Sequence, residues 1–184
     1  MPSTPKNAPK NIETLGLLPK VAKAKLTTSS GIDLLQLIKT KDTWQIKHIV
    51  WQPHPKPVET TAKDRQAITV AAQAYATAFY TTKPELIDTH VDKKRAKFGN
   101  YFGREMAMTF EQLRDIATNL HKNRPAPKDS PKVVEILDCN DNTACVKLTG
   151  AWSLDFMNLI CTEKGGKIRQ VIWQSHPPKK VKKK

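Results

Sequence analysis

"KIRQVIWQSHP", residues 167–177, ends on Trp173-Gln174-Ser175-His176-Pro177, and nearly the same ending stands earlier as Trp51-Gln52-Pro53-His54-Pro55 in "IKHIVWQPHP", residues 46–55. Sliding the chain against itself by the 122 positions between them aligns residues 5–55 with 127–177 without a gap, and 19 of the 51 pairs are identical. Chance would give roughly three, so the sequence reads as a tandem duplication. The first copy is partial, because no residues ahead of Pro5 correspond to 64–126.

Upstream of the second ending, runs rich in Val, Ile, Leu and Trp alternate with turn residues: VVEILDC (133–139), TACVKLTG (143–150), WSLDFMNLICT (152–162) and KIRQVIWQ (167–174). They predict a four-stranded meander, with Asp141-Asn142 and Gly165-Gly166 at hairpin turns. The partial copy repeats only this meander, with strands expected over 11–18, 22–29, 32–40 and 44–51. A sheet without helices leaves an apolar face open, so the complete domain or a second chain is expected to cover it.

Ahead of the complete meander the period changes. Ile68, Ala72, Tyr75 and Phe79 recur at helical spacing behind Asp64, a suitable N-cap. Thr82-Lys83-Pro84-Glu85 has the form of a capping box before a short second helix through Leu86 and Ile87. Residues 89–105 read as a strand or irregular pair with turns at Gly99-Asn100 and Gly103. Thr109-Phe110-Glu111-Gln112 is another capping box, opening a helix with Phe110, Leu113, Ala117 and Leu120 on one side. Helices followed by a meander predict an α+β fold, not alternating βαβ units. The organisation expected is a sheet-only copy over 5–55, a linker over 56–63, a complete domain over 64–177 and a disordered basic tail over 178–184.

The 184 residues are 39% hydrophobic and 26% charged, as in soluble globular proteins. No apolar run approaches the roughly 20 residues of a transmembrane span. The N-terminal Met1-Pro2-Ser3-Thr4-Pro5-Lys6 lacks the apolar stretch of a signal peptide, so a cytoplasmic location is expected. Cys139, Cys145 and Cys161 have no metal-ligand spacing, and neither a metal nor a cofactor is expected. Buried free thiols are the favoured reading, with a Cys139–Cys145 disulfide across a hairpin as the alternative. Net charge is +14, divided as +6 over 1–63, +3 over 64–177 and +5 over 178–184. Most of the excess lies outside the complete domain, which argues against a dedicated nucleic-acid groove. The tail "PPKKVKKK" reads as a solvated charge run, with salt-sensitive contact to nucleic acid or acidic surfaces as the alternative.

Taken as a set, His90 with Lys94-Arg95, GREMAMT (103–109), Trp152-Ser153-Leu154-Asp155-Phe156 and the closing Lys167–Trp173 run resemble the nuclear transport factor two-like superfamily, and within it the lumazine-binding branch. The resemblance covers 64–177 fully and 5–55 in part. Val91 stands where that family usually has Pro after the His. The resemblance implies a cone of helices on a strongly curved mixed or antiparallel sheet, with a pocket between them. It implies sheet-to-sheet homodimers, and it makes export the alternative location. Its members include isomerases, dehydratases and pure binding domains, so function does not follow from the fold.

His90 is a candidate general base or a structural histidine. Asp155 shares strand parity with Met157, Leu159 and Cys161. An acid on such a face is a candidate pocket acid. However, Asp33 holds the same place in the partial copy, which hints at a structural role such as pairing with Lys94 or Arg95. Trp152 has only Ser30 as its counterpart, so it is a candidate pocket wall for a planar ligand, or else core. Tyr75 lies on the apolar face of the first helix, and Phe156 completes the expected ligand-binding set. Trp51 and Trp173 are read as sheet or interface packing. No glycine-rich phosphate loop, zinc pattern or nucleophile elbow is present. The expected function is therefore non-catalytic binding of a small apolar or aromatic molecule, or scaffolding. An isomerase- or dehydratase-like enzyme using Asp155 and His90 with Tyr75 is the alternative. The assembly expected is a homodimer, or a monomer whose partial copy mimics the second subunit.

Overall fold

Period-two alternation delivers the first meander as an antiparallel sheet of β1 (Asn11–Leu17), β2 (Val21–Thr28), β3 (Gly31–Thr40) and β4 (Thr43–Gln52). Two helices follow, α1 (Ala62–Tyr80) and α2 (Glu85–His90). Then come β5 (Val91–Tyr101), β6 (Arg104–Met108) and α3 (Phe110–Asn119). The second meander is β7 (Val133–Cys139), β8 (Thr143–Thr149), β9 (Ser153–Thr162) and β10 (Gly165–Ser175). Strands β5 to β10 form one sheet in the order β6-β5-β10-β9-β8-β7, parallel only between β5 and β10. The fold is α+β with a mixed sheet, seen in a computed structural model that describes residues 10–54, 60–122, 126–140, 142–162 and 165–177. The basic tail 178–184 and the first half of the expected linker, 56–59, lie outside the described residues, and the second half runs into α1.

Local chemistry corrects several expectations. Thr61, not Asp64, caps α1: its hydroxyl accepts from the Asp64 N–H while the Asp64 carboxylate accepts from the Thr61 N–H, a reciprocal box. The box expected at Thr82 does not form. Thr82 is used for the tight α1–α2 turn, at a positive φ of 51°, and Pro84 caps α2 without a side-chain bond. Strand β5 runs straight through Gly99 and Asn100, and the turn comes at Phe102-Gly103. Gly99 is needed for close approach instead, since a Cβ there would overlap the Trp173 indole. Gly165 and Gly166 already belong to β10. Cys139 and Cys145 are free thiols: across the β7–β8 ladder Cys139 pairs with Ala144, and Cys145 with Asp138.

Alternation gives the six-stranded sheet two buried faces. Val146, Leu148, Met157, Leu159 and Val171 face the helices and meet Ile68, Ala72 and Tyr75 of α1. A bulge skips Arg169, so Ile168 and Val171, three apart, both turn toward the helices. The opposite face packs against β1–β4: Phe156 and Ile172 meet Val21 and Ile38, and Cys145 meets Ile32 and Leu34. Gly16 permits this approach, since a Cβ there would stand 2.6 Å from the Phe156 ring.

This sheet-to-sheet interface is rich in hydrogen-bonded polar side chains. Gln36 Nε2 donates to Phe156 O at 2.9 Å, and Asn158 Nδ2 to Leu34 O at 3.5 Å. Gln36 also bonds His48 (2.7 Å), as Asn158 bonds Gln170 (2.9 Å). Lys23, fully buried, donates to Asn158 Oδ1. The two meanders also share their registers at an offset of 122, bulges included. Gln36 and Leu37 pair with His48 and Ile46, skipping Lys47, as Asn158 and Leu159 pair with Gln170 and Ile168, skipping Arg169.

The covered face of β1–β4 is thus the one bearing Gln36 and Lys23. The other face was expected to be covered and is open, with Ile46, Ile49 and Trp51 52%, 51% and 56% exposed. Trp51 is therefore not interface packing.

Candidate functional site

Three adjacent strands set the site. Trp173 on β10 pairs with Asp155 on β9 and with Gly99 on β5. Two residues before Gly99, Lys97 points to the same face, since alternate residues of a strand do. Asp155 lies two strands from Lys97, about 10 Å across the sheet, a gap that a lysine and an aspartate side chain can span together. The Lys97 ammonium reaches Asp155 Oδ1 at 3.0 Å and donates to the Tyr75 hydroxyl of α1 at 2.7 Å. It lies 4.9 Å from the Trp173 ring centroid and 5.1 Å from that of Tyr75, within cation–π range. Ser153 Oγ donates to Asp155 Oδ2 at 2.6 Å, so both carboxylate oxygens are occupied.

Burial by itself would pull the Lys97 pKa down. The Asp155 charge, the Tyr75 oxygen and the hydrogen bonds to both outweigh it and hold Lys97 above the ordinary lysine value. At neutral pH the group is an ammonium–carboxylate pair. It is suited to orienting a polar atom, and unsuited to amine nucleophilicity. Two of the three ammonium N–H groups are taken by Tyr75 and Asp155. The third has no hydrogen-bond acceptor among the described residues.

The pair stands in a cavity of about 940 Å³ between the helices and the sheet, within the range of small-molecule sites. Its walls are mostly apolar: Phe79 of α1, Met106 and Met108 of β6, Leu113 and Ile116 of α3, and Trp173. Trp152, 40% exposed, sits at the rim. Its ring meets Tyr80 edge-on at 4.9 Å and stacks on His121 at 4.8 Å. Tyr80 is held by its hydroxyl, which donates to Pro131 O and accepts from the Ala151 N–H.

Among the residues read from sequence, Tyr75, Trp152 and Asp155 come together around this cavity. His90 does not line it. It ends α2 next to Val91, which pairs with Ile168, and that is roughly 15 Å along β10 from Trp173. Partial burial, and then the Lys167 charge, lower the His90 pKa. Phe156 also lies outside the cavity: as the neighbour of Asp155 on an alternating strand it faces β1–β4, fully buried. The partner of Asp155 is Lys97, not the exposed Lys94. Sequence reading missed Lys97, Ser153 and the cavity role of Trp173.

Neither a protein-family model nor a curated protein matches the chain. Solved structures do. An NTF2-like protein of unknown function from Silicibacter pomeroyi matches with a TM-score of 0.57 at 15% identity, over 64% of this chain and 100% of its own. One from Shewanella baltica gives 0.54 at 17%, over 65% and 99%. A protein of unknown function with a cystatin-like fold from Nostoc punctiforme gives 0.51 at 15%, over 66% and 97%. Each neighbour is matched nearly whole, while about a third of this chain lies outside each match. Helices on one face of a curved mixed sheet, together with these neighbours, give this chain the NTF2-like, cystatin-like fold.

Proposed function

We propose that the chain binds, without turnover, a small planar and largely apolar molecule that carries an oxygen acceptor. The observation that carries this reading is the buried Lys97 ammonium, with one N–H to spare, in a mostly apolar cavity. Trp152 and Trp173 both line the cavity, so a flat ring system bound there meets aromatic walls while its carbonyl or carboxylate oxygen takes the spare N–H of Lys97. The resemblance to the lumazine-binding branch makes fused heterocyclic carbonyl compounds the first class to try. An isomerase- or dehydratase-like reaction through Asp155 and His90 finds less support, because His90 lies outside the cavity and both Asp155 oxygens already accept hydrogen bonds. The test is thermal unfolding with lumazine, flat aromatic carboxylates and their reduced, non-planar analogues. At 100 times Kd a ligand adds about 2.7 kcal/mol of stability. Planar compounds should raise Tm unchanged in mass, and Trp152→Ala and Lys97→Gln should each abolish the rise. A rise that survives both substitutions refutes the reading.

The same proposal treats β1–β4 as a partial second copy standing where a second subunit would sit. Its support is the shared register and the contacts that recur at the same offset, as an isologous interface requires. Native mass spectrometry should then give a monomer, and a dimer at micromolar concentration would count against it.

A further inference from the structure

The open face of β1–β4 is the surface that the ligand reading leaves unused. Ile46, Ile49 and Trp51 of β4 are about half exposed on it, and Ile12 of β1 is 69% exposed. These side chains stand on the two edge strands, with Leu35 between them only 9% exposed, and apolar side chains left open in this way mark an interaction site. What it accepts can be read from the same chain. Ala24, Leu26, Leu35, Leu37, Ile46 and Ile49 hold, in identical register, the positions of Val146, Leu148, Met157, Leu159, Ile168 and Val171. Those six lie beneath the helices and form one core with α1. The open face therefore carries the side-chain chemistry of a helix seat.

Charge adds a direction. Helix α1 starts at the Cys139 end of its sheet, where Thr60 bonds Cys139 O, and finishes near Ala151, which bonds Tyr80. It therefore runs antiparallel to β9. On β3 the same path begins at Lys39, whose ammonium lies 6.0 Å from the Trp44 ring, and ends at Asp33. Asp33 pairs across the sheet with Trp51, as Asp155 pairs with Trp173. Yet Asp155 has Lys97, and no cation among the described residues pairs with Asp33.

We propose that this face is the docking site for an amphipathic helix of a partner protein, lying antiparallel to β3. Acidic residues in the helix's first turn face Lys39, and a lysine or arginine on its apolar stripe, three turns on, faces Asp33. This polarity agrees with the helix dipole, which favours acids at the start and bases toward the end. The recognition mode is an apolar helix face in an apolar groove, with one charge pair setting direction.

The probes are two fluorescein-labelled synthetic peptides of residues 61–81, the α1 sequence with its capping box, one unaltered and one with Tyr75→Lys. Tyr75 is the α1 residue that approaches the aspartate in the complete sheet. Fluorescence anisotropy with the full chain should show saturable micromolar binding of both. The Tyr75→Lys peptide should bind about fivefold tighter, the size of one partly exposed charge pair. Asp33→Asn should erase that advantage, and Ile49→Glu should weaken both peptides at least tenfold while leaving the circular dichroism and the cavity's ligand response intact. Because Ile49 is far from the cavity, failure here is separable from failure of the ligand reading. Absence of binding, or binding indifferent to Ile49→Glu, overturns the proposal. A homodimer broken by Ile49→Glu overturns it too, since the face would then belong to a second copy.

Discussion

Replacing Lys97 by Met removes the cation of a pair in which Asp155 is only 3% exposed. Ser153 still holds Oδ2, but Oδ1 loses its partner in a low-dielectric setting. Breaking one side of such a pair costs about 3–5 kcal/mol. At about 2–4 °C per kcal/mol for a chain of this size, Lys97→Met should lower Tm by roughly 6–20 °C. Removing both charges is different. Lys97→Met with Asp155→Leu puts apolar groups of similar volume into an apolar setting, and stability should return to within about 1 kcal/mol of wild type. The double-mutant cycle should give a coupling of at least about 2 kcal/mol.

The pH dependence carries its own sign. In wild type, Lys97 is held above its ordinary value, so its contribution is complete below the unfolded lysine value and is lost only as pH rises through the folded one. Between pH 5 and 8 Lys97 itself makes no slope. Urea melts of the four proteins at neutral pH measure the cycle. An additive cycle would refute the account of this site.

Two further outcomes follow from other residues. Burial holds Lys23 below the ordinary lysine value, only partly countered by Cys145 and Asp138. Its sign is opposite to that of Lys97: the unfolded chain binds more protons, so wild type gains stability as pH rises toward the unfolded value. Lys23→Met should therefore look better relative to wild type at pH 6 than at pH 9.5, and a constant difference in urea melts would contradict it. Gly99→Ala places a methyl group against the Trp173 indole. It should cost about 1–3 kcal/mol and shift tryptophan emission, whereas wild-type melting and emission would show that the close approach is not required.

The fold was legible where local signals decide: the capping box at Thr109 and the alternating runs of both meanders. Alternation also contained the correction to Phe156, since adjacent strand residues cannot share the face of Asp155. Lys97 was hidden for a tertiary reason. It ends the run Lys93-Lys94-Arg95-Ala96-Lys97, which reads as a solvated charge cluster, and only the parallel pairing of β5 with β10 turns it inward beside Asp155. His90 failed for the same kind of reason, because its distance from Asp155 depends on where α2 meets β10.

The two faces of β1–β4 show why hydrophobicity alone misjudges which surface is closed. The face with Ile46, Ile49 and Trp51 is the open one. The face carrying Lys23, Gln36 and His48 is buried, although each of those residues taken singly reads as surface. What makes their burial tolerable is partnership. Gln36 bonds Phe156 O and His48, Lys23 bonds Asn158, and Asn158 bonds Leu34 O and Gln170. A buried polar group is costly only when it lacks such partners. The partners come from both sheets, so pairing them also fixes the register at which the sheets meet. An apolar surface would allow sliding by one residue, whereas this network loses several bonds at once if it slips. The interface therefore needs its polar residues for alignment, and the open face needs none until a partner brings the cation for Asp33.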